Sequence, residues 1–346
     1  MRANEFLQNS KIIFEGGWET SVTQGTVINP AIVRIALNQV NSFVKDFNLW
    51  LSKQGKNKVQ VGSPLGSTAY FETDPENKIY GDIDLQMIAE PIQGTTGQFA
   101  NYYNKLVDEF IKETKPKNIY YEKPANGHVI FKLDKDNFVQ IDLIWTLPTL
   151  KSWVKYRMTP ERDVKGLIYG NLYSTLGEIL GLAIQHSGIQ MKVKDGKPIN
   201  FQRGRKEDFV KTISTDISTF VLDLLNELYN QTYGNKSKPK VSDTLRKHPG
   251  LNVKDIKIVD LIKAIKGLAD SFEINKMYGK GLLADFKNSN DFIEKFIKHY
   301  ENKAIAAATA TKFEKADSPA AQARAEDTKA KIFKGLKNVM DLFLKS

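Results

Sequence analysis

Between residues 30 and 50 apolar side chains recur at Ile32, Val33, Ile35, Ala36, Val40, Phe43, Val44 and Phe47, a spacing that predicts one amphipathic helix. Asn29-Pro30 supplies its start, an N-cap followed by proline in the first turn. The turn GKNK (55–58) then leads into a short strand, Val59-Gln60-Val61, which ends on Gly62-Ser63. Residues 82–89, with IDLQMIA at their centre, read as a second strand. Phe99, Tyr103, Leu106, Phe110 and Ile111 mark another helix, while HVIFKL (128–133) and FVQIDLIW (138–145) flank the turn DKDN as a hairpin. Interleaved periods of this kind predict an α/β or α+β unit over residues 1–147.

Beyond Leu147 the strand signals fade. Helical runs are expected at about 161–187, 206–233, 254–272 and 289–310, separated by breakers such as Lys238-Pro239 and His248-Pro249-Gly250. Residues 148–303 are therefore expected to form a mainly α-helical domain, able to bind nucleotide or nucleic acid. The Ala/Lys-rich stretch 304–346 contains Asp317-Ser318-Pro319 as a helix start. Ile332, Leu336, Val339, Met340 and Phe343 follow as one apolar stripe, which should dock on the protein or a partner.

Composition narrows the chemistry. With 346 residues, 41% of them hydrophobic, the chain can fill two cores without crosslinks. Cysteine is absent, which excludes disulfides, thiolate nucleophiles and cysteine-based zinc sites and makes a cytoplasmic setting the natural expectation. The first residues lack the basic-then-apolar build of a signal peptide, and no apolar run reaches the roughly 18 residues a membrane span needs, so a soluble protein without membrane partner is expected. A net charge of +10 favours an anionic partner.

The candidate chemistry sits on two aspartates. On a strand, alternate side chains face the same way, so Asp82 and Asp84 project together, about 7 Å apart, while Ile83 turns into the core. Carboxylates so placed repel unless a cation lies between them, and Mg²⁺ is the hard, oxygen-seeking ion that joins carboxylates to substrate phosphates. Asp142, inside the apolar run VQIDLIW, is a third candidate, because an unpaired carboxylate there would be expensive. If its strand neighbours the first, three acids converge and can hold two metals. Glycine lets backbone approach a phosphate closely and serine adds a hydroxyl, so Gly62-Ser63 reads as the nucleotide-phosphate contact, with Ser67 as an auxiliary.

The order VGS (61–63), Gly66, GDIDLQM (81–87) and VQIDLIW (139–145) resembles the signature of the DNA polymerase β-like nucleotidyltransferase superfamily, which includes CCA-adding enzymes, poly(A) polymerases and small antibiotic or toxin nucleotidyltransferases. The resemblance covers residues 58–146. It implies an α+β catalytic domain with a mixed sheet flanked by helices, in which Asp82, Asp84 and Asp142 coordinate two Mg²⁺ ions, with Mn²⁺ as a substitute, and Gly62-Ser63 binds the incoming nucleoside triphosphate. The implied reaction moves a nucleoside monophosphate from an NTP to an acceptor hydroxyl, preferably at a tRNA-like RNA 3′ end. The alternatives are a protein or small-molecule acceptor, and a catalytically silent nucleic-acid-binding protein on the same fold. Two departures stand out: Pro64 and Leu65 occupy the place where many members carry an arginine, and the insert TDPENKIY between the motifs is long.

Lys192, Lys194, Arg203, Arg205 and Lys206, grouped around Phe201, suit phosphate contacts with base stacking, against the alternative of a solvated surface. His128 and His186 read as packed or exposed residues, Tyr169 and Tyr173 as core, and Asp134 to Asn137 as a hairpin closure.

Overall fold

The Asn29 side chain accepts a hydrogen bond from the Ile32 amide at 2.9 Å and Pro30 sets the first turn, so helix α1 (Pro30–Lys53) begins where the pattern placed it. The structure is a computed structural model. It describes residues 28–80, 82–92, 96–120, 127–134, 137–159, 161–162, 166–205, 208–234, 237–248, 257–309 and 319–345. Gly81, Lys135, Asp136, Lys206, Asp317 and Ser318 lie outside them. The chain divides into two compact units, Met1–Lys151 with Ala316–Arg324, and Ser152–Lys315 with Ala325–Ser346.

In the first unit, β1 (Gln60–Pro64), β2 (Ile83–Ile88), β3 (Ile119–Tyr120), β4 (His128–Lys132) and β5 (Phe138–Thr146) form one mixed sheet in the order β1-β2-β5-β4-β3. Only the β2–β5 pair is parallel. A parallel pair needs a crossover, and the segment that supplies it contains helix α2 (Thr96–Thr114) and the expected β4–β5 hairpin. Alternation then sorts the side chains. Ile83, Leu85 and Met87 of β2 join Val139, Ile141 and Leu143 of β5 in a core with α1 and α2, while Asp84, Gln86 and Asp142 take the opposite face. Within that core Phe47 has ring neighbours in Phe43, Trp50 and Phe110 at 6.1, 6.0 and 5.3 Å.

The second unit departs from the helical expectation. It contains a four-stranded sheet centred on β7 (Gly188–Lys194), which pairs antiparallel with β6 (Ala183–Gln185), β8 (Lys197–Ile199) and β9 (Phe209–Ser214). Helices α3 (Lys151–Met158) and α4 (Gly166–Ile179) precede it, and α5 (Phe220–Tyr233), α6 (Asp243–Arg246), α7 (Ile258–Ile274) and α8 (Ser289–Ala308) follow. The run expected at 161–187 stops at Ile179 because Gly181 takes φ 66°, a left-handed turn that starts β6. The run expected at 206–233 begins only at Phe220, since the preceding segment bonds to β7 as a strand. Helix α9 (Pro319–Lys345) buries Ile332, Leu336, Val339 and Phe343. A Cβ at Gly335 would collide with Ile168, and the Lys266 ammonium donates to the Phe343 carbonyl at 2.6 Å, so the expected stripe docks on this unit.

Phe47→Ala empties a site with no exposed surface and is expected to destabilise the first unit by about 3–5 kcal/mol, whereas Ile35→Ala, at an exposed position of the same helix, should cost about 0.5 kcal/mol or less. Denaturant unfolding followed by tryptophan fluorescence measures both.

Candidate functional site

The parallel register pairs Ile83 with Ile141, Asp84 with Asp142 and Leu85 with Leu143. Asp84 and Asp142 are therefore nearest neighbours across two strands and share one face of the sheet. Asp82 stands one residue ahead of β2, half-buried, and alternation gives it the same side. The antiparallel β4–β5 register continues the row by placing His128 opposite Asp142, with Nδ1 3.4 Å from Oδ1. Gln140, two residues back on β5, donates from Nε2 to the same Asp142 oxygen at 2.7 Å. A row His128, Asp142, Asp84 thus crosses three strands.

The chain entering this face is fixed by its insert. Tyr80 is buried, its amide donates to the Ile28 carbonyl at 2.9 Å and its hydroxyl to Asp74 at 2.8 Å, so TDPENKIY is tied back before Asp82 begins. Arg34 adds an ion pair to Glu76 at 2.8 Å.

The two Gly-Ser pairs occupy different places. Strand β1 runs on to Pro64, so Gly62-Ser63 lies inside it, at an irregularity between Val61 and Pro64, and does not follow it as the sequence suggested. A Cβ at Gly62 would lie 2.9 Å from the side chain and carbonyl of Gln86, which explains that glycine by packing alone. Gly66-Ser67 instead opens the 3₁₀ turn Gly66–Tyr70 directly above the acids. The preceding Leu65 amide donates to the Asp84 carbonyl at 2.8 Å, Gly66 adopts φ 59°, and a Cβ there would sit 2.7 Å from Asp84 Oδ2. Ser67 is exposed beside it. The signal that separates the two glycines is the extra pairing of β1, which sequence periodicity did not reveal.

Burial first, and the neighbouring Asp142 second, push the Asp84 carboxyl up to about 6. His128 is raised as well, by its hydrogen bond to Asp142, against the opposing effect of burial. Two carboxylates in one partly dry place are the donor set a hard divalent cation satisfies, and Gly66 brings no side chain against the Asp84 oxygen where a Cβ would stand 2.7 Å away, so the residues fit Mg²⁺. Among the described residues no three His, Asp or Glu side chains gather closely enough to form a metal cluster on their own.

Of the cationic group, Lys194, Arg203 and Arg205 line a cavity of about 380 Å³ in the second unit. Lys192 is engaged otherwise: its ammonium donates to the Gly204 and Arg205 carbonyls, both at 2.9 Å, and lies 4.9 Å from the Phe201 ring centre, so it braces the segment between β8 and β9 against β7. Lys206 lies outside the described residues. A larger cavity of about 500 Å³ between α1 and the start of β1 contains none of the three acids. Tyr169 and Tyr173 are buried, as expected of core. No described helix is long and apolar enough to cross a membrane. No family model matches the chain, and comparison with curated proteins and with solved structures yields no match.

Because the folded state holds the Asp84 proton more tightly than the unfolded chain does, ionisation destabilises the fold. That penalty is absent below the ordinary carboxylate range near pH 4, grows as pH rises to about 6, and is complete above it. Without divalent cation, Asp84→Asn is expected to stabilise the protein at pH 8 by on the order of 2 kcal/mol and to have little effect at pH 3.5, read from denaturation midpoints at both values. Adding Mg²⁺ at pH 8 should stabilise the wild type and not the variant.

Proposed function

We propose that the chain is a metal-dependent nucleotidyltransferase of the DNA polymerase β-like kind, moving a nucleoside monophosphate from an NTP to an acceptor hydroxyl, with RNA the preferred acceptor. The observation that carries this reading is the pairing of Asp84 with Asp142 across parallel strands beneath the bare backbone of Gly66. In the reaction the acceptor hydroxyl loses its proton to solvent, its oxygen forms a bond to the α-phosphorus, the bond from that phosphorus to the bridging oxygen of the β-phosphate breaks, and pyrophosphate leaves with the electron pair.

Asp82, Asp84 and Asp142 would hold Mg²⁺, which when bound lowers the pKa of the acceptor hydroxyl and offsets triphosphate charge. The protein's own groups prepare that place. Asp142 is oriented from two sides, by the Gln140 amide and by His128. Gly66 keeps side-chain bulk away from the Asp84 oxygen, and Ser67 offers a hydroxyl next to it, so we assign the phosphate contact to Gly66-Ser67 in preference to Gly62-Ser63. The cationic cavity of Lys194, Arg203 and Arg205 supports a polyanionic acceptor.

Incubation with labelled NTPs, Mg²⁺ and pooled RNA is expected to place label on RNA, with transfer lost in Asp84→Ala and Asp142→Ala and on chelation. Label on polypeptide or on a small molecule would reassign the acceptor. No transfer at all, with wild type and Asp84→Ala alike, would overturn the reading. For RNA binding, Arg203→Ala should reduce the slope of log K against log salt concentration by about 1, measured by fluorescence anisotropy.

A further inference from the structure

The second unit holds a half-buried cation, Arg157, for which no carboxylate partner is found among the described residues. Helix α3 lies along β6, where Trp153 donates from Nε1 to the Gln185 carbonyl at 2.7 Å and Arg157, one turn on, donates from Nη2 to the Ile184 carbonyl at 3.2 Å. A guanidinium carries five N–H donors, and here its Nε is buried without a hydrogen-bond partner among the described residues. Two hydroxyls of the same unit are buried with a proton to spare: Thr159 Oγ1, two residues along, and Tyr173 OH on α4, whose oxygen lies against the Tyr169 hydroxyl and whose side chain has no exposed surface. Burial pushes the Tyr173 phenol up to about 12, with the neighbouring Tyr169 and Arg157 acting against it, so it is a protonated donor at pH 7. Burial likewise lowers the Arg157 pKa, and the group that opposes this is the Tyr173 phenol rather than an acid. His186 also feels Arg157: burial first, and that positive charge second, hold it down at about 4, so it is neutral at pH 7 and adds no second cation.

A buried charge left unpaired is costly, and buried polar atoms without partners are rare in folded proteins. The three atoms are all able to donate: Tyr173 lies close enough to Arg157 for the two to shift each other's titration, and Thr159 follows Arg157 by two residues. We propose that Arg157, Thr159 and Tyr173 form a binding site for a phosphate-type oxyanion, separate from the carboxylate pair. The guanidinium fork supplies parallel donors matched to two phosphate oxygens, and the two hydroxyls supply donors to the others. Phosphate suits the set better than a carboxylate, which presents only two oxygens to four or more donors. The site stands independently of nucleotide transfer, since none of its residues belongs to the first unit.

The test uses the full chain carrying Asp84→Asn, so that binding at the acids is not read. Inorganic phosphate, pyrophosphate and an NTP are titrated separately at constant ionic strength without divalent cation, with chloride as control, by calorimetry and by thermal unfolding. Saturable binding of at least one of the three phosphates is expected. Tyr173→Phe should weaken it roughly 5- to 10-fold, and Arg157→Met by about 10-fold or more. Strongest binding of inorganic phosphate identifies a free-anion site, and strongest binding of the NTP identifies the phosphate of a nucleotide. Without anion, Arg157→Met should be at least as stable as its parent, because it removes an unpaired buried charge. If that variant fails to fold, Tyr173→Phe and Thr159→Val carry the test alone. No saturable response to any phosphate, or equal affinity in parent and variants, would mean that internal water satisfies these atoms and would overturn the proposal.

Discussion

The parallel contact between β2 and β5 is the constraint on which the candidate site depends. Its register is dictated by hydrophobic burial: Ile83, Leu85 and Met87 must face α1 and α2 together with Ile141 and Leu143. Once those residues are inside, Asp84 and Asp142 are forced onto the other face and next to each other. A slip of β2 by one residue would turn Asp84 into the core and take it away from Asp142. The packing energy of the apolar side therefore holds the two acids together against their mutual repulsion.

The electrostatic consequence is local and directional. Asp84 bears the strain because Gly66 backbone is laid over it, whereas Asp142 has Gln140 and His128 to share its charge. Gly66 matters here for two reasons at once, its left-handed backbone and its lack of a side chain, and both arise from the close passage of the 3₁₀ turn.

Much of the first unit was legible along the chain because its signals are local. The Asn29-Pro30 start, the β4–β5 hairpin and the apolar periods of α1 and α2 each lie within one element and need no partner to be read. What escaped was set by pairing between distant segments. The extension of β1 to Pro64 moved Gly62 into a strand, and the β7–β9 contact turned part of an expected helix into sheet. His128 carried no sign of its proximity to Asp142, since only cross-strand register relates them. Lys192 likewise reads along the chain as one of a basic group, although its ammonium caps the Gly204 and Arg205 carbonyls of the segment between β8 and β9.

The crossover that makes β2 and β5 parallel also orders events in time. Helices α1 and α2 and the β4–β5 hairpin close through short stretches of chain and can form early, while strand β2 must wait for a partner that lies beyond α2, on the far strand of the hairpin. Carboxylate repulsion thus arises only where β2 and β5 have paired. A cation held between Asp84 and Asp142 would therefore act only on states in which β2 and β5 are already paired.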